Sequence, residues 1–174
     1  MSKKDNIKGI KSISLGVPGD GVVSASLTAF TAIVLSSLNL TGSKTTNETI
    51  GIEGIDSYIT FKNGSSPSTG TFKLLEITGT EKVILQGGTW TELTKLWEAP
   101  ISPVEKRLSV VLETEPINGR YCVITFPNAF ISATDEGGIT QNQLFSVNVD
   151  FTADVPETAA GVKKSPYTMQ WFDV

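Results

Sequence analysis

Glu113 and Glu115 stand two positions apart in the run LSVVLETEP, so on an extended chain both carboxylates leave the same face. Two acids placed that way could divide the acid and base roles in cleaving a glycosidic bond. Pro116 and a turn signal follow immediately, and no aromatic cluster surrounds the pair to seat a sugar ring. A solvated strand end accounts for them better. Asp150 and Asp154, in NVDFTADV, could bind calcium only if loops supplied several more oxygens, and no dense Asp/Asn loop is present. Asp135 and Glu136, in TDEGG, have the character of turn residues.

Nucleophilic chemistry fares no better. The chain contains no histidine, which excludes Ser-His-Asp and Cys-His triads and every zinc site that needs an imidazole. The single cysteine, Cys122, cannot form an internal disulfide, and in the strand-like run YCVITF it is expected as a small buried thiol. No glycine-rich stretch cradles a phosphate: GIEGID lacks the P-loop lysine, and QGGTW follows a helical stretch where a dinucleotide fingerprint must precede one. Trp90, Trp97 and Trp171 could stack on a sugar or a base, but single tryptophans in a β protein more often anchor a core or an interface. The chain is therefore expected to be no enzyme and to carry no cofactor or metal.

The elements that would position these residues follow from composition and period. At 174 residues the chain is one ordinary domain, 1–174, able to bury about two thirds of its unfolded surface. Only 18% of residues are charged, while Gly, Ser and Thr abound, which favours strands and turns over surface helices. A formal charge of −4 argues against a protein that grips nucleic acid along a basic stripe. The N-terminal MSKKDNIKGIKSISLGV lacks the apolar core of an export signal, and no run is long enough to span a membrane, so a cytoplasmic site of synthesis is expected. The sequons at Asn39, Asn47 and Asn63 then carry little meaning.

Residues 7–15 alternate as a strand closed by the turn VPGDG. Residues 22–40 are rich in apolar and small residues and fit a helix or a longer strand equally. Residues 41–55, TGSKTTNETIGIEGI, are polar and aperiodic and predict a long loop or mobile arm over about 41–56, with room for a short strand. SYITFK is a short strand, NGSSPSTG a turn cluster, and FKLLEI, residues 72–77, a strand. Thr78 or Thr80 can cap a short helix running to Leu85 with Glu81 in its first turn, and Gly87-Gly88 end it. Leu108 to Glu115 should pair with Tyr121 to Phe126 across Asn118-Gly119, a type I′ signal. Residues 143–155 give the longest alternation, with Phe145, Val147, Val149, Phe151, Ala153 and Val155 on one face and Ser146, Asn148, Asp150, Thr152 and Asp154 on the other. YTMQWFDV reads as a terminal strand with Met169 and Trp171 on one face.

Taken in order, KGIKSISLGVPGDG, the short helix ending in Gly87-Gly88-Thr89, the W-x-A-P element from Trp97 to Pro100 and NGRYCVITFPNAFISATDEGGITQNQLFSVNVDFTADVP resemble the tail tube proteins of long-tailed phages. That family is related in fold to the tube of type VI secretion and other injection systems, and the resemblance covers most of the chain. It implies a mostly β fold, a β-sandwich or partly closed β-barrel flanked by one short α-helix, whose copies form hexameric rings stacked into a hollow tube. DNA would pass through the lumen without specific binding. The implied partners are the chain itself, the tape measure, the tail terminator and baseplate or tail-tip proteins, with no membrane. The implied location is the virion tail, assembled in the host bacterial cytoplasm.

The residues expected at assembly joints are Gly87, Gly88, Trp90 and Trp97, together with Thr45, Asn47, Ile50 and Ile52 of the arm. Asn148, Asp150, Thr152 and Asp154 are expected to face the lumen, where an acidic to neutral wall would let phosphates pass unheld. Two other classes compete: a soluble β-sandwich module that binds carbohydrate, and another ring-forming tail or neck protein such as a terminator.

Overall fold

In the computed structural model, residues 7–75, 77–137 and 144–174 are described. Residues 1–6, on which the export expectation partly rests, Glu76 of the expected 72–77 strand, and residues 138–143, which include Gln143, lie outside them. The described chain runs β1 (Ile10–Gly16), β2 (Thr28–Phe30), β3 (Asn39–Thr41), β4 (Lys44–Ile52), β5 (Ile55–Ser66), β6 (Thr69–Leu74), α1 (Gly79–Gln86), β7 (Thr89–Thr91), β8 (Leu96–Glu98), β9 (Lys106–Thr114), β10 (Arg120–Glu136), β11 (Ser146–Ala153) and β12 (Thr168–Asp173). It is mostly β with one short helix, as composition predicts.

Eight strands form one antiparallel sheet in the order β2-β1-β9-β10-β11-β6-β3, with β12 also paired to β10. The long β10 organises it. Along one edge β10 pairs with β9; along the other its first half, Arg120 to Thr125, pairs with β12 and its second half, Ala129 to Glu136, with β11. Between the halves the register shifts at Phe126/Ala129, the position of Pro127, where a residue without an N–H is tolerated because the ladder is already interrupted. Buried Ser109 holds the bulge: its hydroxyl donates to the Pro127 carbonyl at 2.6 Å and accepts from the Ser24 amide at 2.9 Å. The bend folds the two halves of the sheet over a common core in a sandwich-like arrangement.

Ile13 and Leu15 of β1, Phe72 and Leu74 of β6, Val110 and Leu112 of β9, Ile131 of β10, and Val147, Val149 and Phe151 of β11 are essentially inaccessible. Leu85 reaches the same core from α1. Phe126 meets Phe151 edge-on, with ring centroids 5.1 Å apart. The two ends of the sheet approach each other through an isolated bridge, Ile33 to Leu74, and no further ladder closes a barrel among the described residues.

Several local expectations need correction. Residues 22–40 are neither a helix nor a long strand; they hold only the short β2 and β3, whose partners β1 and β6 are distant in sequence. Residues 41–56 are not a loop. Thr41 ends β3, residues 44–52 form β4 and pair with β5, and after the tight turn at Glu53-Gly54 residues 55 and 56 begin β5. Asn63-Gly64 makes no turn and lies within β5, where the register slips between Thr46 and Asn47; the chain instead turns at Pro67-Ser68. The strand β11 ends at Ala153, so Phe145 and Val155 fall outside it and are exposed. The Asn118-Gly119 hairpin and the terminal strand form as the sequence predicts, with positive φ at both turn residues.

Candidate functional site

The strands β4 and β5 pack on each other and make no substantial contact with any other described element. Their register sets Ile50 opposite Ile59, Glu48 opposite Phe61 and Thr49 opposite Thr60. Opposed residues share a face and successive residues alternate, so Ile50, Ile59, Phe61 and Glu48 line one side of the arm. The three apolar members are 46%, 52% and 41% exposed. On the opposite side the Thr49 and Thr60 hydroxyls hydrogen-bond to each other at 2.9 Å. Gly54, at φ +80°, supplies the left-handed position that the two-residue turn requires. Of the expected arm residues, Thr45, Asn47 and Ile50 lie exposed on β4, and Ile52 pairs with Ile55 beside the turn. Ile59 and Phe61 were not predicted as contact residues, although their alternation in SYITFK carried the signal.

A second surface is the solvent side of the sheet around β11. Across β10, β11 and β6 the register aligns Phe130 with Thr152 and Thr69, Ser132 with Asp150 and Thr71, and Thr134 with Asn148 and Lys73. Asn148 donates to the Asp150 carboxylate at 3.0 Å. Lys73 pairs with Glu136 at 2.8 Å, and Arg107 pairs with Asp154 at 2.9 Å while its guanidinium lies 4.1 Å from the Phe130 ring centre. Hydroxyls, an amide and paired charges thus cover this face. Of the four residues expected at a lumen, Asn148, Asp150 and Thr152 lie on it in β11; Asp154 follows the strand and is held by Arg107, Asn128 and the Val155 amide.

The glycine-tryptophan joint is built differently. Thr78 caps α1 in a capping box with Glu81. Trp90 and Trp97 stand opposite each other on the hairpin of β7 and β8, and both are tied to the helix. A methyl group on Gly79 would lie 2.0 Å from the Trp90 ring, so only glycine admits that contact. The Trp97 indole donates to the Gly87 carbonyl at 3.0 Å, and the Lys82 ammonium sits 4.2 Å from its ring centre. Gly88 approaches the Glu98 carbonyl too closely for any side chain and has φ +80°. Lys82 and Gln86 both reach Asp135, at 2.9 and 2.8 Å, which fastens the helix to the end of β10. Gly87, Gly88, Trp90 and Trp97 are therefore engaged within the subunit. Lys106 donates to the Val83 carbonyl, and burial lowers its pKa from the ordinary value of 10.5.

The sequence's candidates for chemistry are dispersed. Glu113 pairs with Lys11, whose ammonium is held protonated by that hydrogen bond. Cys122 is fully buried, its amide bonded to the Thr114 hydroxyl, and burial raises its thiol pKa. Among the described residues no three acidic or thiol side chains converge on a point that could hold a metal, and no helix is long and apolar enough to cross a membrane. No protein-family model and no curated protein matches this chain.

Proposed function

We propose that this chain is the subunit of a phage tail tube, a structural protein whose copies form hexameric rings that stack into a conduit for DNA. The observation that carries this is the β4–β5 arm, two paired strands that present Ile50, Ile59 and Phe61 to solvent and make no substantial contact with any other described strand or helix. An apolar stripe on a projecting hairpin is stabilised by a partner surface and has no use in an isolated molecule. The hydroxyl-rich face of β11 supports the second half of the proposal. Its charges are largely paired, so it offers phosphates little to hold, as a lumen wall should.

In this account the partners are other copies of the chain, tape measure, terminator and tail-tip proteins, and the site of action is the virion tail. Negative-stain microscopy of purified protein tests it: stacked rings support the tube, single rings that do not grow favour a terminator or neck protein, and dispersed particles contradict both. One observation favours a carbohydrate-binding module instead: Trp171, on the edge strand β12, is 38% exposed. Binding of a glycan that Trp171→Ala abolishes, in a protein that stays monomeric, would select that alternative.

A further inference from the structure

Lys106 is a half-buried cation with no acidic neighbour among the described residues. It opens β9 at the wall of a cleft of about 590 Å³ between α1, the end of β1 and the turn that follows, where Leu15, Val17, Val83, Ile84 and Leu108 supply the apolar lining. Its ammonium donates to the Val83 carbonyl, an acceptor shared with the Gly87 amide that caps α1. Two of its three N–H bonds are left for an anion. A charge drawn partly out of water calls for such a partner. The described residues that flank 1–6 and 138–143 lie elsewhere. Ile7 precedes the far end of β1, about 20 Å from Gly16, and Gly137 lies six residues beyond Ile131, the partner of Lys106, again about 20 Å away.

We propose that this cleft receives the tip of the β4–β5 arm of a second copy of the chain, Ile55 entering between Val17 and Ile84 while the acidic pair Glu53 and Asp56 meets Lys106. The inference rests on the self-assembly reading above and names the surface that takes the end of the arm. Charge complementarity selects this occupant. Glu53 and Asp56 flank Ile55, which is 48% exposed, and neither carboxylate has a partner within the chain among the described residues. The arm's cations, Lys44 and Lys62, lie towards its base, opposite Ser66 and Asn47. The tip is thus one apolar side chain between two unpaired anions, and the cleft an apolar cavity with one cation. The nine residues of β4 carry the tip about 30 Å from the base, far enough to reach a neighbouring copy. The cavity falls within the ~300–1,000 Å³ typical of built binding sites, with room for an isoleucine and its flanking turn. Tip and cleft are different surfaces, so the contact is heterologous: each copy gives an arm and receives one, which produces a ring or an open chain of copies.

Cysteines placed across the contact test this, because the native Cys122 is buried and does not compete. Ala25 lies exposed in the cleft wall, so under mild oxidation the full-length Ala25→Cys/Ile55→Cys protein should give a ladder of covalent multimers. An equimolar mixture of the two single variants should stop at covalent dimers. Leu35→Cys/Ile55→Cys, with a residue that is 93% exposed but outside the cleft, should give no ladder. Charge reversal gives a second measurement: Glu53→Lys/Asp56→Lys or Lys106→Glu should each weaken association at least threefold, and all three together should restore it. The cysteine pair leaves Lys106 in place, so it decides the question even where Lys106→Glu unfolds the domain. Rings or tubes that form without the Ala25–Ile55 cross-link would overturn the cleft while leaving self-assembly standing. Decanoate bound by the monomer through Lys106, with association unaffected, would give the cleft to a free anionic amphiphile and overturn the arm as its occupant. A chain that never associates would overturn both readings.

Discussion

Replacing Ile50, Ile59 and Phe61 together by serine should leave the domain folded and remove its self-association. The three side chains are 46%, 52% and 41% exposed, so roughly half of each remains to be covered by a partner. Full burial of such a side chain is worth about 1.5–3 kcal/mol, so the uncovered halves amount to about 2–4 kcal/mol per arm. At about 1.4 kcal/mol per decade the triple variant should bind about 30- to 1,000-fold more weakly at each contact. Stability should change little, because the arm makes no substantial contact with another element. Exposed substitutions cost about 0.5 kcal/mol each, which limits the fall in Tm to about 3–6 °C. Sedimentation velocity across a concentration series reads the first quantity and thermal unfolding the second. Association equal to that of the parent protein would refute the reasoning, and so would loss of cooperative unfolding, since the arm would then belong to the core.

Gly79→Ala should lower Tm by about 2–12 °C, since the added methyl must displace the Trp90 ring at a cost of about 1–3 kcal/mol; Gly42→Ala, which meets nothing within 4 Å, should not, and equal melting of the two variants would contradict the packing described. Cys122 should resist Ellman's reagent in the native protein and react as one thiol in guanidinium chloride; rapid native labelling would place it elsewhere. Lys106 has a folded pKa below 10.5, so the unfolded chain binds more protons as pH rises through the lowered value towards 10.5, and stability should climb over that alkaline window. In Lys106→Met the climb should flatten, as read by denaturant midpoints; parallel profiles for the two proteins would remove Lys106 as the cause.

The parts of the fold legible in the sequence are those written in short-range chemistry. Thr78 and Glu81 spell a capping box, Asn118-Gly119 spells a type I′ turn, and the alternation from Val147 to Ala153 records a strand with one wet face. The arm is legible as a segment, but its regular pairing with β5 is not, for a physical reason. Both its faces meet water, so no buried set imposes period two, and the β-branched Thr45, Thr46 and Thr49 read as loop polarity although they favour strands. β2 and β3 are three residues each, too short to show a period of their own; β2 is held by the preceding strand β1, and β3 by β6 across the whole β4–β5 hairpin. The tryptophans were recognised as anchors, but their seat on Gly79 and Gly87 depends on a helix packing against a hairpin, which spacing does not encode.

Cryo-electron microscopy of the purified protein at high concentration tests the central claim most directly. The expected result is stacked six-fold rings in which each β4–β5 arm lies on a neighbouring copy and Asn148, Asp150 and Thr152 face the central channel. A dispersed 18.6 kDa monomer at every concentration, or rings in which those three residues are packed inside the subunit and the arm remains in solvent, would contradict it.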